Sequence, residues 1–354
     1  SRETTYPHKK KKKQQNNMTQ FFNKAACFTD IHFGMKNNAR QNNIDCENFV
    51  TWFIEEAKKR GSETCIFLGD WHHQRSSVNV STLNYSISNL KKLGEAFEKV
   101  YFIVGNHDLF YRDKREISSV VFADEIPNVK VVNEWIVEND VAIIPWLVGD
   151  EWKKVKDVKC KYMFGHFELP HFKMNAMVEM PDIGTIRSDH FKNAGHVFTG
   201  HFHKRQHSGN ISYIGNPFPH NFADVWDDDR GAMFLEWDKQ PEYKIWQDAP
   251  KYRSIDLSKL LEDPETVLEP NSYIRVKVDL DISYEEANFI KENFAQNYQI
   301  RDLALIPQKK EEHAQDVKGE VIFESVDQIV TNQLAKIESD SFDNGVLVEL
   351  YNRL

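Results

Sequence analysis

Apolar residues fall along this chain in two rhythms. Short continuous runs, Ala25 to Thr29, Cys65 to Leu68, Val100 to Val104, Lys161 to Phe164 and His196 to Thr199, read as β-strands that stop at Gly or Asp. Between the first and third runs the spacing changes to that of a helix. Asp45 to Arg60 places Phe49, Trp52, Phe53 and Ala57 at helical intervals and ends at Gly61, a C-terminal cap signal. Leu83 to Phe97 repeats the pattern, with Leu83, Ile87, Leu90 and Leu93 on one stripe. Past Asp248, Tyr273 to Leu280 alternates as a strand, Ser283 to Phe294 reads as an amphipathic helix and Ile300 to Ile306 as another strand. Lys309 to Asp316 is charged and aperiodic, as a linker is. Two short helices follow it, with Val326, Ile329, Val330, Leu334 and Ile337 in the first and Val346, Leu347, Leu350 and Leu354 in the second. The expected fold class is α/β: a β-sandwich flanked by helices in four layers, a small α/β domain and C-terminal helices.

Each of the five strand-like runs delivers metal-binding chemistry at its end. The segments are Asp30-Ile31-His32, Gly69-Asp70, Gly105-Asn106-His107-Asp108, Gly165-His166 and Gly200-His201-Phe202-His203. Polar side chains at the carboxyl ends of strands are how open α/β sheets build active sites. Two divalent ions roughly 3.5–4 Å apart can bind a phosphate oxygen, activate water and stabilise a leaving oxygen. One carboxylate must bridge such a pair, and Asp70 is the candidate. Imidazole with carboxylate suits manganese, iron or zinc, whereas an all-oxygen set suits magnesium or calcium. No Cys lies in these segments, which speaks against a structural zinc site. Alone, an Asp-x-His or Gly-His-x-His triplet is usually a turn with a satisfied histidine; all five in this order, each after a strand, are not.

In that order the segments resemble the signature of calcineurin-like metallophosphoesterases, and more narrowly the SbcD-type DNA-repair nucleases, including recombination endonuclease subunits of T-even-like phages. Ile144-Pro145-Trp146, Gly165-His166-Phe167-Glu168, and Tyr213-Ile214-Gly215-Asn216-Pro217 followed by Asp229-Arg230-Gly231 carry the narrower likeness, which covers about residues 24 to 250. The resemblance implies that Asp30, His32, Asp70 and His203 hold one ion and that Asp70, Asn106, His166 and His201 hold the other. It makes His107 the catalytic histidine that is not a ligand, with Asp108 orienting it. Many members carry Asp a few residues after Gly-Asp, but here Trp71-His72-His73 follows, and a histidine at the place of His73 is linked in family nucleases to positioning the DNA strand. Protein phosphatases of the superfamily resemble Gly-Asp-x-Val-Asp-Arg-Gly and Gly-Asn-His-Glu, which this chain lacks.

The resemblance also implies a homodimer through helices of this region, a capping domain over the cleft at 251–308, and C-terminal helices at 309–354 that grip an SMC-like ATPase. The nuclease domain is then 21–250 and residues 1–20 a disordered leader, with Lys9 to Lys13 as a basic run and Met18 as a candidate start. The expected activity is Mn²⁺-dependent DNA exonuclease or endonuclease chemistry, with Mg²⁺, Fe²⁺ or Zn²⁺ as other metals. Small-molecule or cyclic-nucleotide phosphodiesterase and a catalytically silent scaffold are the alternatives. All seven ligand positions and His107 are present, which weighs against a dead enzyme.

At 354 residues with 40% hydrophobic and 12% aromatic content, the chain can bury a sizeable core and allows about two domains. The net charge of −9 is not that of a protein gripping DNA with its whole surface, so bound metal and a partner are expected to supply much of the affinity. No apolar run approaches the roughly 20 residues of a membrane span. Cys27, Cys46, Cys65 and Cys160 show no paired spacing and read as reduced thiols of a cytoplasmic protein, a bacterial or phage-infected cell fitting the resemblance.

Overall fold

The computed structural model describes residues 19–175 and 178–307; the proposed leader up to residue 18 and the expected helix of Val326, Ile329, Val330, Leu334 and Ile337, with the one expected after it, lie outside the described residues. Four strands come first, β1 Lys24–Phe28, β2 Thr64–Phe67, β3 Lys99–Ile103 and β4 Val129–Val132, parallel and side by side in that order. A second sheet takes β5 Ile136–Glu138, β6 Val141–Ile143, β7 Cys160–His166, β8 Ala194–Gly200, β9 Gln206–Ser208 and β10 Ile211–Tyr213, in spatial order β5-β6-β7-β8-β10-β9. The chain then returns to the first sheet, where β11 Gly231–Glu236 pairs antiparallel with β1, and β12 Glu242–Ile245 with β11. A third, all-parallel sheet follows, of β13 Lys251–Asp256, β14 Ser272–Val278 and β15 Asp302–Pro307.

The strands read as continuous apolar runs because both faces of the first sheet are covered. Ala25, Cys27, Ile66, Leu68 and Ile103 pack inward with Val141, Ile143, Phe164 and Phe198 of the second sheet. Ala26, Phe28, Cys65 and Phe67 point the other way, onto Phe49, Phe53, Leu90 and Leu93 of two helices. Ring centroids of Phe28 lie 4.7 Å from Phe53 and 4.9 Å from Phe67, so truncating Phe28 to Ala should cost about 3–5 kcal/mol. The outer face of the second sheet packs Met163, Val197 and Ile211 against Phe167, Phe172 and Phe191 from loops and short 3₁₀ turns.

Both helices are longer than their apolar periodicity. The first runs Arg40–Arg60, and its opening turns bury Asn42, Asn43 and Asp45 instead of apolar residues. The second runs Val80–Ala96 behind an Asn79 cap whose side chain accepts from Ser81 N. Its buried face carries Thr82, Ser86 and Asn89 beside Leu90 and Leu93, whereas Leu83 and Ile87 are only half-buried. The expected Leu83–Ile87 stripe is therefore corrected. Ser86 Oγ accepts the Trp71 indole N–H at 2.7 Å and Thr82 Oγ1 takes an Asn43 N–H at 3.0 Å, so the polar residues face inward because they have partners there.

The third sheet packs with helix Tyr284–Asn297 around its own cluster of Ile255, Leu257, Leu260, Ile274, Val276 and Leu303. The β14–helix–β15 unit follows the alternation of Tyr273 to Ile306, while β13 had no sequence signal of its own. Arg301 forms a bidentate pair with Asp45 at 2.6 and 2.7 Å, tying this sheet to the Arg40–Arg60 helix.

Candidate metal centre

Strands from both sheets end at one edge of the sandwich, where the turns that follow them are sharp. Asp30, His32, Asp70 and His201 adopt φ of 52°, 54°, 64° and 92°, in the left-handed region that costs an ordinary residue of order 1–3 kcal/mol. Backbone bonds hold these turns against one another, Asp30 N donating to Gly69 O at 2.9 Å and His32 N to Asp70 O at 3.2 Å. Glycine before a ligand makes room: a Cβ on Gly105 would run into the Asp70 carboxylate, and one on Gly200 into the Thr29 hydroxyl.

Two trios of donor atoms result. Asp30, His32 and His203 form one, with Asp30 Oδ1 3.8 Å from His32 Nε2 and 3.7 Å from His203 Nε2. Asp70, His166 and His201 form the other. Asp70 Oδ2 lies 3.8 Å from His32 Nε2 and 3.3 Å from His166 Nε2, between the trios. Asn106 Oδ1 is 3.0 Å from both His166 Nε2 and His201 Nδ1. His166 Nδ1 is 2.7 Å from the Leu68 carbonyl, so an Nδ1–H donating there directs Nε2 into the centre.

The donor set fits divalent cations. Asp30 Oδ1 is buried without a hydrogen-bond partner, and His32 and His203 face each other through Nε2 atoms 3.2 Å apart. Burial pushes the Asp30 carboxyl up to about 7 and pulls the His203 ring down to about 4, which leaves neutral imidazole lone pairs for a metal. Burial also lowers His166, yet Asp70 and Asp30 outweigh it and lift that ring to about 9. The surrounding carboxylates thus favour positive charge at this point. Burial raises the Asp70 carboxyl, but His166 and His107 hold it well below the usual carboxylate range.

A model of the calcineurin-like phosphoesterase family matches residues 24–205, slightly more than half of the chain. This chain belongs to that family. Exonuclease subunit 1 of Enterobacteria phage T4 is 29% identical over 192 residues, covering 52% of this chain and 56% of the phage protein. The chain therefore spans about half the length of that curated relative. Among solved structures, the phosphoesterase Yfce from E. coli matches with 14% identity, 64% of this chain, 94% of the other and a TM-score of 0.32. The nuclease MPE of Pseudomonas putida gives 21%, 53%, 66% and 0.28, and a dimetal phosphatase from Danio rerio gives 10%, 60%, 92% and 0.36.

Around the donor trios of this family member, the remaining expected residues take distinct places. His107 lies at the rim, its ring edge-on to His32 at 4.9 Å and its Nδ1 2.7 Å from the His73 carbonyl. Asp108 does not orient that ring, contrary to expectation. Its carboxylate accepts backbone N–H groups of Asp70, Trp71, His72 and Gly105 at 2.9–3.0 Å, so it staples the loop of Asp70 to the loop of Asn106. His73 stacks on His107 at 5.5 Å and forms a third trio with His32 and His107.

Two residues of the centre went unassigned in the sequence. Glu168 Oε1 lies 3.3 Å from His201 Nε2 and accepts from Arg112 at 2.7 Å. Burial would raise this carboxyl, but His201 and Arg112 hold it at about 2. The Gly165-His166-Phe167-Glu168 segment was visible, yet nothing local ties Glu168 to His201. His220 is buried with both ring nitrogens unpartnered, its centroid 5.1 Å from His203 and 5.5 Å from His32. Its loop is held by buried Arg230, which binds Asn216, Asp224 at 3.1 Å and Asp227 at 3.0 Å, and by Tyr252, whose hydroxyl donates to the His220 carbonyl at 2.9 Å.

Proposed function

We propose that this chain is a DNA nuclease subunit that hydrolyses phosphodiesters with two divalent ions, Mn²⁺ foremost. The observation that carries the reading is the pair of donor trios with Asp70 between them, beside a histidine outside both. Asp30, His32, Asp70 and His203 are assigned to one ion and Asp70, Asn106, His166 and His201 to the other. When bound, such a pair supplies an activated water and charge stabilisation at phosphate. The protein's part is to hold and shape. Glu168 fixes the His201 ring, Asp108 locks the loops that carry Asp70 and Asn106, and the His73 carbonyl holds His107 through Nδ1. Nε2 of His107 is then left to donate a proton to the leaving oxygen or steady a phosphate oxygen. His73 lies where it can position the strand.

The similarity to a phage exonuclease subunit supports DNA as the substrate and membership of a complex. We assign the 326–337 apolar face to an SMC-like ATPase partner, residues 251–308 to a cap, and a homodimer to the assembly. Four free, buried cysteines support a reducing cytoplasm, and among the described residues no helix is long and apolar enough to cross a membrane. The test incubates the chain with end-labelled single- and double-stranded DNA in Mn²⁺, beside His107→Ala and bis-p-nitrophenyl phosphate. DNA cleavage lost in the variant is expected; bis-ester turnover with DNA intact in the presence of the ATPase sinks the nuclease reading. Deleting residues 318–354 should abolish co-purification with the ATPase.

A further inference from the structure

Directly beside the second donor trio lies a cavity of about 170 Å³ that none of the assignments above uses. Its lining includes His166, Glu168, Trp146, Trp152, Thr185 and Ile186. Trp146 is a fixed plane. Its indole N–H donates to the Arg112 carbonyl at 2.9 Å, its backbone N to Val104 O at 3.0 Å, and its own carbonyl accepts from Arg115 at 3.0 and 3.1 Å. The ring centroid stands 5.2 Å from that of His201 and 6.0 Å from that of His166. Trp152 is half-buried and packs edge-on to His190 at 5.4 Å. Arg112, paired to Glu168, sets a half-exposed cation 5.5 Å from the Trp146 ring.

Resting on the nuclease reading, we propose that this cavity receives the unstacked base of the nucleotide being cleaved. A phosphodiester at the donor trios carries its base one sugar away, and a slot that touches His166 is within that reach. Aromatic walls suit any base, because every base has a π-face. The polar border suits the base edge, since the second oxygen of Glu168 can accept from the exocyclic amines of adenine, cytosine or guanine but finds none on thymine. Entry requires the base to leave its stack, which costs least in a single strand or a frayed end. The cavity thereby makes the centre selective for unpaired termini, and Arg112 stands ready for an adjoining phosphate.

The experiment has a binding arm and a cleavage arm. Calorimetry on the full chain with Mn²⁺ compares 5′-dAMP with 2-deoxyribose 5-phosphate. The nucleotide should bind roughly tenfold tighter, and both Trp152→Ala, which removes a wall, and Thr185→Phe, which fills the slot, should erase the preference. Unchanged thermal unfolding and Mn²⁺ affinity show that each variant is folded. Equal binding of the two compounds, or a preference that survives both variants, overturns the proposal. In the second arm, an oligonucleotide abasic at the cleaved position should be cut roughly tenfold more slowly than its parent by the wild-type chain and equally by Trp152→Ala. A nucleotide preference without discrimination in cleavage marks a free-nucleotide site and also overturns it. Absence of any DNA cleavage in the presence of the ATPase, with bis-ester turnover retained, is the separate failure of the nuclease reading, and the binding arm still decides whether a base is taken.

Discussion

At the ligand edge of the sandwich and in the three-stranded sheet, the same chain is built to different standards. The edge buries polar atoms of Asp30, His32, His73 and His220 that lack partners, and it holds four candidate metal-donor residues in left-handed backbone. Between 251 and 307 no described side chain is orphaned in that way, the buried Arg253 is paired to Asp228 and Glu269, and the positive φ values fall at Asn271 and Gln299, beside strand ends. Helix Tyr284–Asn297 even carries a complete capping box from Ser283 and Glu286. Left-handed backbone and orphaned polar atoms occur elsewhere too, at Asp140 and Asn89 for example, but at this edge the two coincide on the candidate donors, whereas the three-stranded sheet follows the ordinary rules of stability.

The largest expected effect is at the rim of that edge. His107→Ala should lower kcat on a phosphodiester by roughly 10²–10⁴-fold while calorimetric Mn²⁺ binding persists. Glu168→Gln tests whether an outer contact governs a ligand: a loss of about 10–100-fold in metal affinity or activity is expected, and an unchanged affinity would remove Glu168 from the centre.

Acid sharpens the contrast next. Burial holds His72 down at about 4, against 6.5 for the free side chain. Between those values the unfolded chain takes up a proton that the folded one refuses, so stability present above pH 6.5 drains away as pH falls towards 4. The loss approaches about 3 kcal/mol and should vanish from the pH slope of urea unfolding in His72→Gln.

Asp30→Asn could break the comparison outright. Oδ2 of Asp30 accepts from Thr29 Oγ1 and His201 N, but buried Oδ1 has no partner, so exchanging this carboxyl for an amide should make the chelator-treated protein about 1–2 kcal/mol more stable in urea unfolding while abolishing activity; destabilisation would show that the edge is not strained for function. The smallest effect belongs to the regular sheet, where Glu286→Ala should cost at most about 1 kcal/mol in thermal unfolding and leave Mn²⁺ affinity untouched.

Legibility followed the same divide. The βαβ-like alternation of Tyr273 to Ile306 was readable because a regular amphipathic element writes its burial into its own periodicity. The candidate ligand segments were readable because each set of donors follows its own strand and four of the five carry a Gly before them. Asp108 misled, since its neighbour in sequence is His107 while its four partners are backbone groups of other residues in two loops. The Val80–Ala96 helix misled for a related reason: Thr82, Ser86 and Asn89 are buried where hydrophobicity predicts exposure.

By itself, then, the order of residues determined the five strands that end in polar segments, those ends, and the family they spell. Only the tertiary structure decided that Glu168 braces His201, that His220 adjoins His203 and His32, and that Trp146 lines one cavity with Glu168 and Ile186. Those contacts join strands, turns and loops far apart in sequence, and no local rhythm encodes which distant chain will come to rest beside them.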